Sequence, residues 1–292
     1  EPVPVEMCTV LSAISGGPPA AGVADRDVSE VRSMVAAQAH SRWPELKVAA
    51  QAEIDRILSP GGYEALKYVS AEHREASVRR LGRDKVVVQN LVFIFKQKKD
   101  ADGNNTLLKG RAAIADKVSA GRIDGDVFAP TVASVSVRVN AQLAVQADHF
   151  RVITSDVGGA YYHGKPVDPA MPGGRELYVP VPKGWDVFGY PQYNRKGQRM
   201  YFNVPGNMPG RQDAGRCWGI CYTDFMVVDC GFIVSCVDRR VFYKVAGDPP
   251  TVVLVVLIHV DDNWVTILNE TAYAIFDAAW RKRFQSSADA AA

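Results

Sequence analysis

From residue 252 to 258 the chain carries seven apolar residues without a break. His259, Val260, Asp261 and Asp262 follow, and then Trp264, Val265 and Thr266. A short β-branched run of this kind predicts a buried strand rather than a helix. The second run predicts its hairpin partner, with the two aspartates at or beside the turn. Upstream, Phe150, Val152 and Thr154 alternate with Arg151, Ile153 and Ser155, which predicts a strand ending at Asp156. Gly158 and Gly159 come next, where the backbone can turn and approach a ligand closely.

Helix is predicted over residues 31–58, where Trp43, Leu46, Ala50, Ile54 and Ile57 recur at spacings of three and four, and Ser59-Pro60-Gly61-Gly62 ends it. Residues 86–98 predict a strand, 100–105 a turn and 106–115 the returning strand. Lys96 and Lys98 then share one strand face, and Lys109 and Arg111 share one face of the other. Pro130 suits the first turn of a helix. Val132, Val135, Val139 and Leu143 continue that helix at helical spacing, so they are expected to face the core. Short strands are expected over residues 176–179 and 199–204. Asn269 is the expected N-cap of a last helix, on which Phe276, Trp280 and Phe284 sit four apart and Arg281, Lys282 and Arg283 suit the C-terminal dipole. Residues 1–30, rich in Pro, Gly and Ala without a period, read as a linker or disordered arm.

Composition changes this picture little. The 292 residues are 47% hydrophobic and 23% charged, ordinary for a globular chain. No apolar run reaches the length of a membrane span, so no membrane partner is expected. The net charge of +2 does not announce a nucleic-acid partner, so any electrostatic site must be a local patch. One such patch lies between Lys96 and Arg122, where seven basic side chains outnumber three acidic ones. Five cysteines without a secretory signal point to reduced thiols in an intracellular protein, with Cys217 and Cys221 on one helix face.

The candidate chemistry is carboxylate chemistry. An Asp-Asp pair beside an apolar strand reads, by itself, as a solvated acidic turn. Asp156 at a second strand end changes that reading, because three carboxylates meeting across a sheet suit divalent cations with hard oxygen ligands.

Asp156-Val157-Gly158-Gly159-Ala160-Tyr161 resembles motif A of reverse transcriptases, and His259-Val260-Asp261-Asp262 resembles their motif C, with His259 in place of the usual Tyr. The segment from Met208 to Trp218 resembles motif B of the copia-type retrotransposon polymerase. Gly210, Ala214, Arg216 and Trp218 match it, while Asp213 and Gly215 depart. Lys109-Gly110-Arg111 is similar to the family's Lys-x-Arg, and Phe128-Ala129-Pro130-Thr131 to its Phe-x-Pro signature. The resemblance runs from about Trp43 to Phe284.

The resemblance implies an α+β right-hand polymerase with an antiparallel palm sheet backed by helices. Residues 31–146 would be fingers and fingers/palm helices, and residues 147–292 the palm with motifs A, B and C, without thumb, connection or RNase H regions. It implies RNA-directed DNA polymerase activity on an RNA or DNA template with a DNA primer and dNTPs. Asp156, Asp261 and Asp262 would be catalytic and, with Val157, would hold two Mg²⁺ or Mn²⁺ ions. Lys96, Lys98, Lys109, Arg111, Gly158, Gly159, Ala160 and Tyr161 would bind dNTP. Tyr161 would exclude a ribose 2′ hydroxyl by clash. Gly210, Arg211, Gln212, His259 and Val260 would meet template and primer. The remaining Pol regions, RNase H and integrase, would be partners in cytoplasmic virus-like particles with a nuclear phase. The alternative is an inactive copy that keeps the fold and binds nucleic acid.

Overall fold

The computed structural model describes residues 27–60, 62–116, 127–146 and 150–284. Most of the arm expected over 1–30 therefore lies outside the described residues, as do Gly61, Lys117, Arg122 and Cys8. The arm's described end is structured: Val28–Glu30 form a 3₁₀ turn with Val28 buried, and Asp27 Oδ1 accepts from the Ser29 amide at 2.8 Å.

The single helix expected over 31–58 is two: α1, Met34–Gln38, and α2, Trp43–Leu58. Pro44 in the first turn of α2 explains the break. It has no N–H to donate backwards, and its ring would clash with a helical carbonyl four residues earlier. After α2 come β1, Lys67–Ser70, and α3, Ala71–Leu81, which no periodicity announced. The strand expected over 86–98 also divides, into β2, Val86–Val88, and β3, Asn90–Lys99. Buried Gln89 stands at the break, its amide donating to the Tyr178 carbonyl and its Nε2 to Asp116. The apolar run thus serves two sheets. β4, Asn105–Ala115, returns antiparallel to β3 as expected.

The next helix, α4, is Ser134–Gln146, and its orientation overturns the expected face. Val135, Val139 and Leu143 are exposed, while Asn140 and Ala144 are buried. Polar contacts decide the outcome. Asn140 Nδ2 donates to Thr266 Oγ1 at 2.8 Å, and Ser136 Oγ donates to Asp238 Oδ2 at 2.7 Å. The helix starts four residues after Pro130, so Pro130 is not its first turn.

β5, Arg151–Asp156, ends in a turn and a short α5, Ala160–His163. β6, Glu176–Pro180, and β7, Met200–Val204, precede α6, Ala214–Asp224, whose end widens into one π-helical turn. β8, Ile233–Val234, β9, Val241–Ala246, β10, Thr251–His259, and β11, Asp262–Ile267, lead to α7, Glu270–Phe284. Asn269 Oδ1 accepts from the Ala272 amide at 2.9 Å, so it caps α7 as its position predicts.

The fold is α+β. One sheet runs β1-β7-β6-β2, with β2 parallel to β6 and its other pairings antiparallel. A second, wholly antiparallel sheet runs β5-β11-β10-β9-β8. β3 and β4 form a separate hairpin whose Phe93, Phe95, Ala112 and Ile114 pack on the first core with Leu46, Ala50 and Phe202. Trp218, Tyr222, Phe276, Trp280 and Phe284 from α6 and α7 cover one face of the second sheet. These cores do not divide the chain at residue 146, since β6 and β7 belong to the first.

Phe284 is 1% exposed, with its ring 4.8 Å from Phe225 and 5.5 Å from Trp218. Phe284→Ala should cost about 3–5 kcal/mol in urea unfolding. Val139→Ser, on the exposed face of α4, should stay within about 0.5 kcal/mol. A loss above about 2 kcal/mol at Val139 would mean that this face is covered.

Candidate active site

Asp156 is the last residue of β5 and Asp262 the first of β11, and the antiparallel register sets them opposite one another. Cross-strand partners hold their Cβ atoms about 5 Å apart, and like charges at such positions repel. The surrounding backbone enforces the pairing. The Val157 amide donates to the Asp261 carbonyl at 2.9 Å, tying the end of β5 to the β10–β11 turn. Buried Asn263 accepts from the Tyr222 hydroxyl, and its Nδ2 lies 3.4 Å from the Ser155 carbonyl.

The turn between β10 and β11 is Val260 and Asp261. Val260 has φ of +59°, in the left-handed region that a β-branched residue rarely enters. Strain of this type costs on the order of 1–3 kcal/mol and persists where the surroundings fix it. Here Trp218 Nε1 donates to the Val260 carbonyl at 2.6 Å. His259 and Asp261 are exposed beside it.

The electrostatics of Asp156 depend on its neighbours. Burial, then Asp261 and Asp262, push the Asp156 carboxyl above its ordinary range, while Lys109 and Lys98 pull it back. Lys109 is itself lowered, first by burial and then by Lys98, Arg56 and Arg111. On the hairpin Lys96 faces Lys109 directly across the register and Arg111 faces Ile94. Unlike cross-strand pairs of opposite sign, Lys96 and Lys109 gain nothing from each other. The hairpin therefore presents a cationic face, and its Lys98 and Lys109 act on the carboxylate edge of the second sheet.

Gly159 takes φ of +61°, and a Cβ there would overlap the Tyr63 hydroxyl, so the turn after Asp156 needs glycine for both reasons. Ala160 is buried and Tyr161 half-buried. Tyr161, Pro130, Gly215, Trp218, Ile258 and Val260 line a pocket of about 120 Å³. The Tyr161 hydroxyl is raised by burial and then by the charge of Asp261. Asn207 Nδ2 anchors this segment by donating to the Tyr161 carbonyl at 2.7 Å and to that of Ala214 at 3.0 Å. Asn207 and Asn263 were invisible in the sequence, because each is a lone polar residue outside any motif.

Residues 208–218 make their contacts within the chain. Arg211 is 5% exposed and pairs with Asp213 at 3.0 Å, so its guanidinium is not presented to a nucleic acid. Removing either partner would leave an uncompensated buried charge, which is costly. Gln212 donates through its amide and Nε2 to Asp116 at 3.1 and 3.2 Å. At Gly210, with φ of +88°, a Cβ would overlap the Ile114 carbonyl, so the base of the hairpin accounts for the glycine. Gly215 lies against Ala129, to which an added Cβ would approach within 2.8 Å.

Among the described residues, no three His, Cys, Asp or Glu side chains are gathered closely enough to chelate an ion. The donor set nonetheless suits a hard cation. It is all carboxylate, at the adjoining ends of β5 and β11 and the turn between β10 and β11, and burial and the neighbouring aspartates penalise the ionised form of Asp156. No family model matches the chain, and no curated protein matches it.

The raised Asp156 carboxyl sets a sign. Its ionised form is penalised in the folded state, so it subtracts stability as pH rises from about 4 through the raised value, and fully above it. Asp156→Asn should therefore raise Tm by about 1–2 °C at pH 8 without divalent cation, and not at pH 3.5. Mg²⁺ should raise the Tm of the unaltered chain more than that of the variant. A variant that melts lower at pH 8 would refute the charge cluster.

Proposed function

We propose that this chain is an RNA-directed DNA polymerase of the copia retrotransposon type, with the β3–β4 hairpin as part of the fingers and the five-stranded antiparallel sheet as the palm. The observation that carries the reading is the pairing of Asp156 with Asp262 beside Asp261, with the charges of Lys109 and Lys98 acting on Asp156. The three carboxylates that the sequence resemblance names lie at adjoining strand ends although 105 residues separate Asp156 from Asp261.

Asp156 and Asp261 would hold two Mg²⁺ ions, or Mn²⁺ with the same oxygen preference, and Asp262 and the Val157 carbonyl would supply further oxygens. Bound there, the ions supply a clamp on the attacking and leaving oxygens of an in-line displacement. The chain's own residues would do the rest. Lys98 and Lys109 would neutralise the triphosphate, with Lys96 and Arg111 on the same hairpin face. Backbone amides of the turn from Val157 to Ala160 would cradle phosphate oxygens. A primer 3′ hydroxyl would attack the α-phosphate, with pyrophosphate leaving. Template and primer would run past His259, Val260 and the Gly210 turn.

Asp156→Asn and Asp261→Asn should each lower primer extension by more than about a thousandfold, roughly 4 kcal/mol of barrier, with the fold retained by circular dichroism. Near-normal extension by either variant would sink the reading.

Tyr161 and Tyr162 separate by role. Tyr161 lines the pocket beside Val260, whereas Tyr162 stacks on Tyr63 with ring centroids 4.5 Å apart. Tyr161→Ala should raise ribonucleotide use relative to deoxyribonucleotide use at least about tenfold, measured as the ratio of kcat/KM values. Tyr162→Ala should lower Tm and leave that ratio nearly unchanged. An unchanged ratio for Tyr161→Ala would remove the sugar gate.

A further inference from the structure

The turn that follows Asp156 is held by a residue from the other core. Tyr63, just beyond α2, donates its hydroxyl to the Gly158 carbonyl at 2.9 Å. His163 Nε2 lies 3.2 Å from the same oxygen. The Tyr63 ring also lies against Gly159, where no Cβ would fit. Both residues of the glycine pair are thus set by one tyrosine.

A second link runs from that tyrosine to the cationic hairpin. Tyr63 stacks on Tyr162, with centroids 4.5 Å apart and planes 12° from parallel. The Tyr162 hydroxyl donates to Glu53 Oε1 at 3.2 Å, and the Ala112 amide donates to the same oxygen at 3.1 Å. Glu53 is 6% exposed, with Arg56 Nη1 at 3.9 Å from its other oxygen. A carboxylate is costly to bury unless it is paired and hydrogen-bonded. This one is satisfied jointly by α2, by β4 and by the helix that leaves the turn. Ala112 belongs to the strand that carries Lys109 and Arg111.

We propose that Tyr63 and Glu53 are positioning residues: Tyr63 sets the backbone of the Gly158-Gly159 turn, and Glu53, through Tyr162, ties that turn to the hairpin bearing Lys98 and Lys109. Neither touches the reacting atoms. The kinetic consequence rests on the polymerase reading, while the structural consequence does not.

The test pairs amide hydrogen exchange with steady-state primer extension on the full chain. Tyr63→Phe removes one hydroxyl and keeps the ring stack. It should speed exchange at the Val157, Tyr162 and Gly164 amides at least about threefold and leave β10 and β11 unchanged. It should raise KM for dNTP at least about threefold with kcat within about twofold. Glu53→Gln, which keeps an acceptor oxygen and loses the charge, should speed exchange at Ala112 and at the turn together. Unchanged exchange at the turn in Tyr63→Phe overturns the proposal. So does equal acceleration in β10 and β11, which would mark a general loss of stability, and so does a faster turn with KM unmoved. If the unaltered chain extends no primer, the polymerase reading falls, and the exchange measurement still decides whether Tyr63 and Glu53 hold the turn.

Discussion

The arrangement of the site depends on one unfavourable contact, the placement of Asp156 opposite Asp262. Two carboxylates across a ladder repel, and a third follows at Asp261. Nothing in the charges themselves would bring them together. The backbone does it, through the ladder of β5 on β11, the Val157 amide on the Asp261 carbonyl, and the Tyr222–Asn263 pair beneath. The apolar cover from Leu254, Val256, Val265, Trp280 and Phe284 is what holds that ladder in place. Buried area on this scale outweighs a repulsion of about 1 kcal/mol between charges that meet water. The sheet can therefore carry an acidic edge that its own side chains do not neutralise.

The hairpin has the complementary problem. Lys96 and Lys109 face each other across β3 and β4, and Lys98 and Arg111 lie on the same face. Phe93, Phe95 and Ile114 on the opposite face secure the strands against the first core, so this cationic surface also persists against its own repulsion. Each half of the site stores charge of one sign, and each opposes the other's shift: burial raises the Asp156 carboxyl while Lys109 and Lys98 hold it back, and burial lowers Lys109 while Asp156 holds it back. A ligand carrying both signs, such as a polyphosphate with divalent cations, would relieve both.

Much of the secondary sheet was legible beforehand, because strand ends and hairpins are written in local pattern. The β10–β11 hairpin, the end of β5 at Asp156, the cap at Asn269 and the buried Phe276, Trp280 and Phe284 follow from alternation, spacing and capping chemistry. What was not legible depends on partners distant in sequence. Val135, Val139 and Leu143 have a perfect core spacing, yet α4 turns Asn140 and Ser136 inward because Thr266 and Asp238 await them. Arg211 carries no local sign of its burial, which comes with its pairing to Asp213. The split of residues 86–98 at Gln89 came from Tyr178 and Asp116, respectively 89 and 27 residues away. Only the break before α2 had a local sign, Pro44, that periodicity alone outvoted.

The site lies at a seam between two cores, which has a mechanical consequence. Asp156, Asp261 and Asp262 ride on the second core, and Lys98 and Lys109 ride on the first. The short helix after Asp156 joins the halves, since Ala160 belongs to the second core and Tyr162 packs on the first. The distance between the halves is set where α5 meets both cores, by the Tyr63–Tyr162, Tyr63–His163 and His163–Phe284 ring contacts and by the polar contacts of Tyr63 with Gly158, Tyr162 with Glu53, Gln212 with Asp116 and Asn207 with Tyr161. Single hydrogen bonds contribute about 1 kcal/mol each, far less than either core. The seam carries fewer contacts of each kind than the interior of either core, and Tyr63, which makes both a ring stack and a hydrogen bond there, is central to it. Changes in these few contacts would alter the approach of the two charged surfaces while leaving both folded.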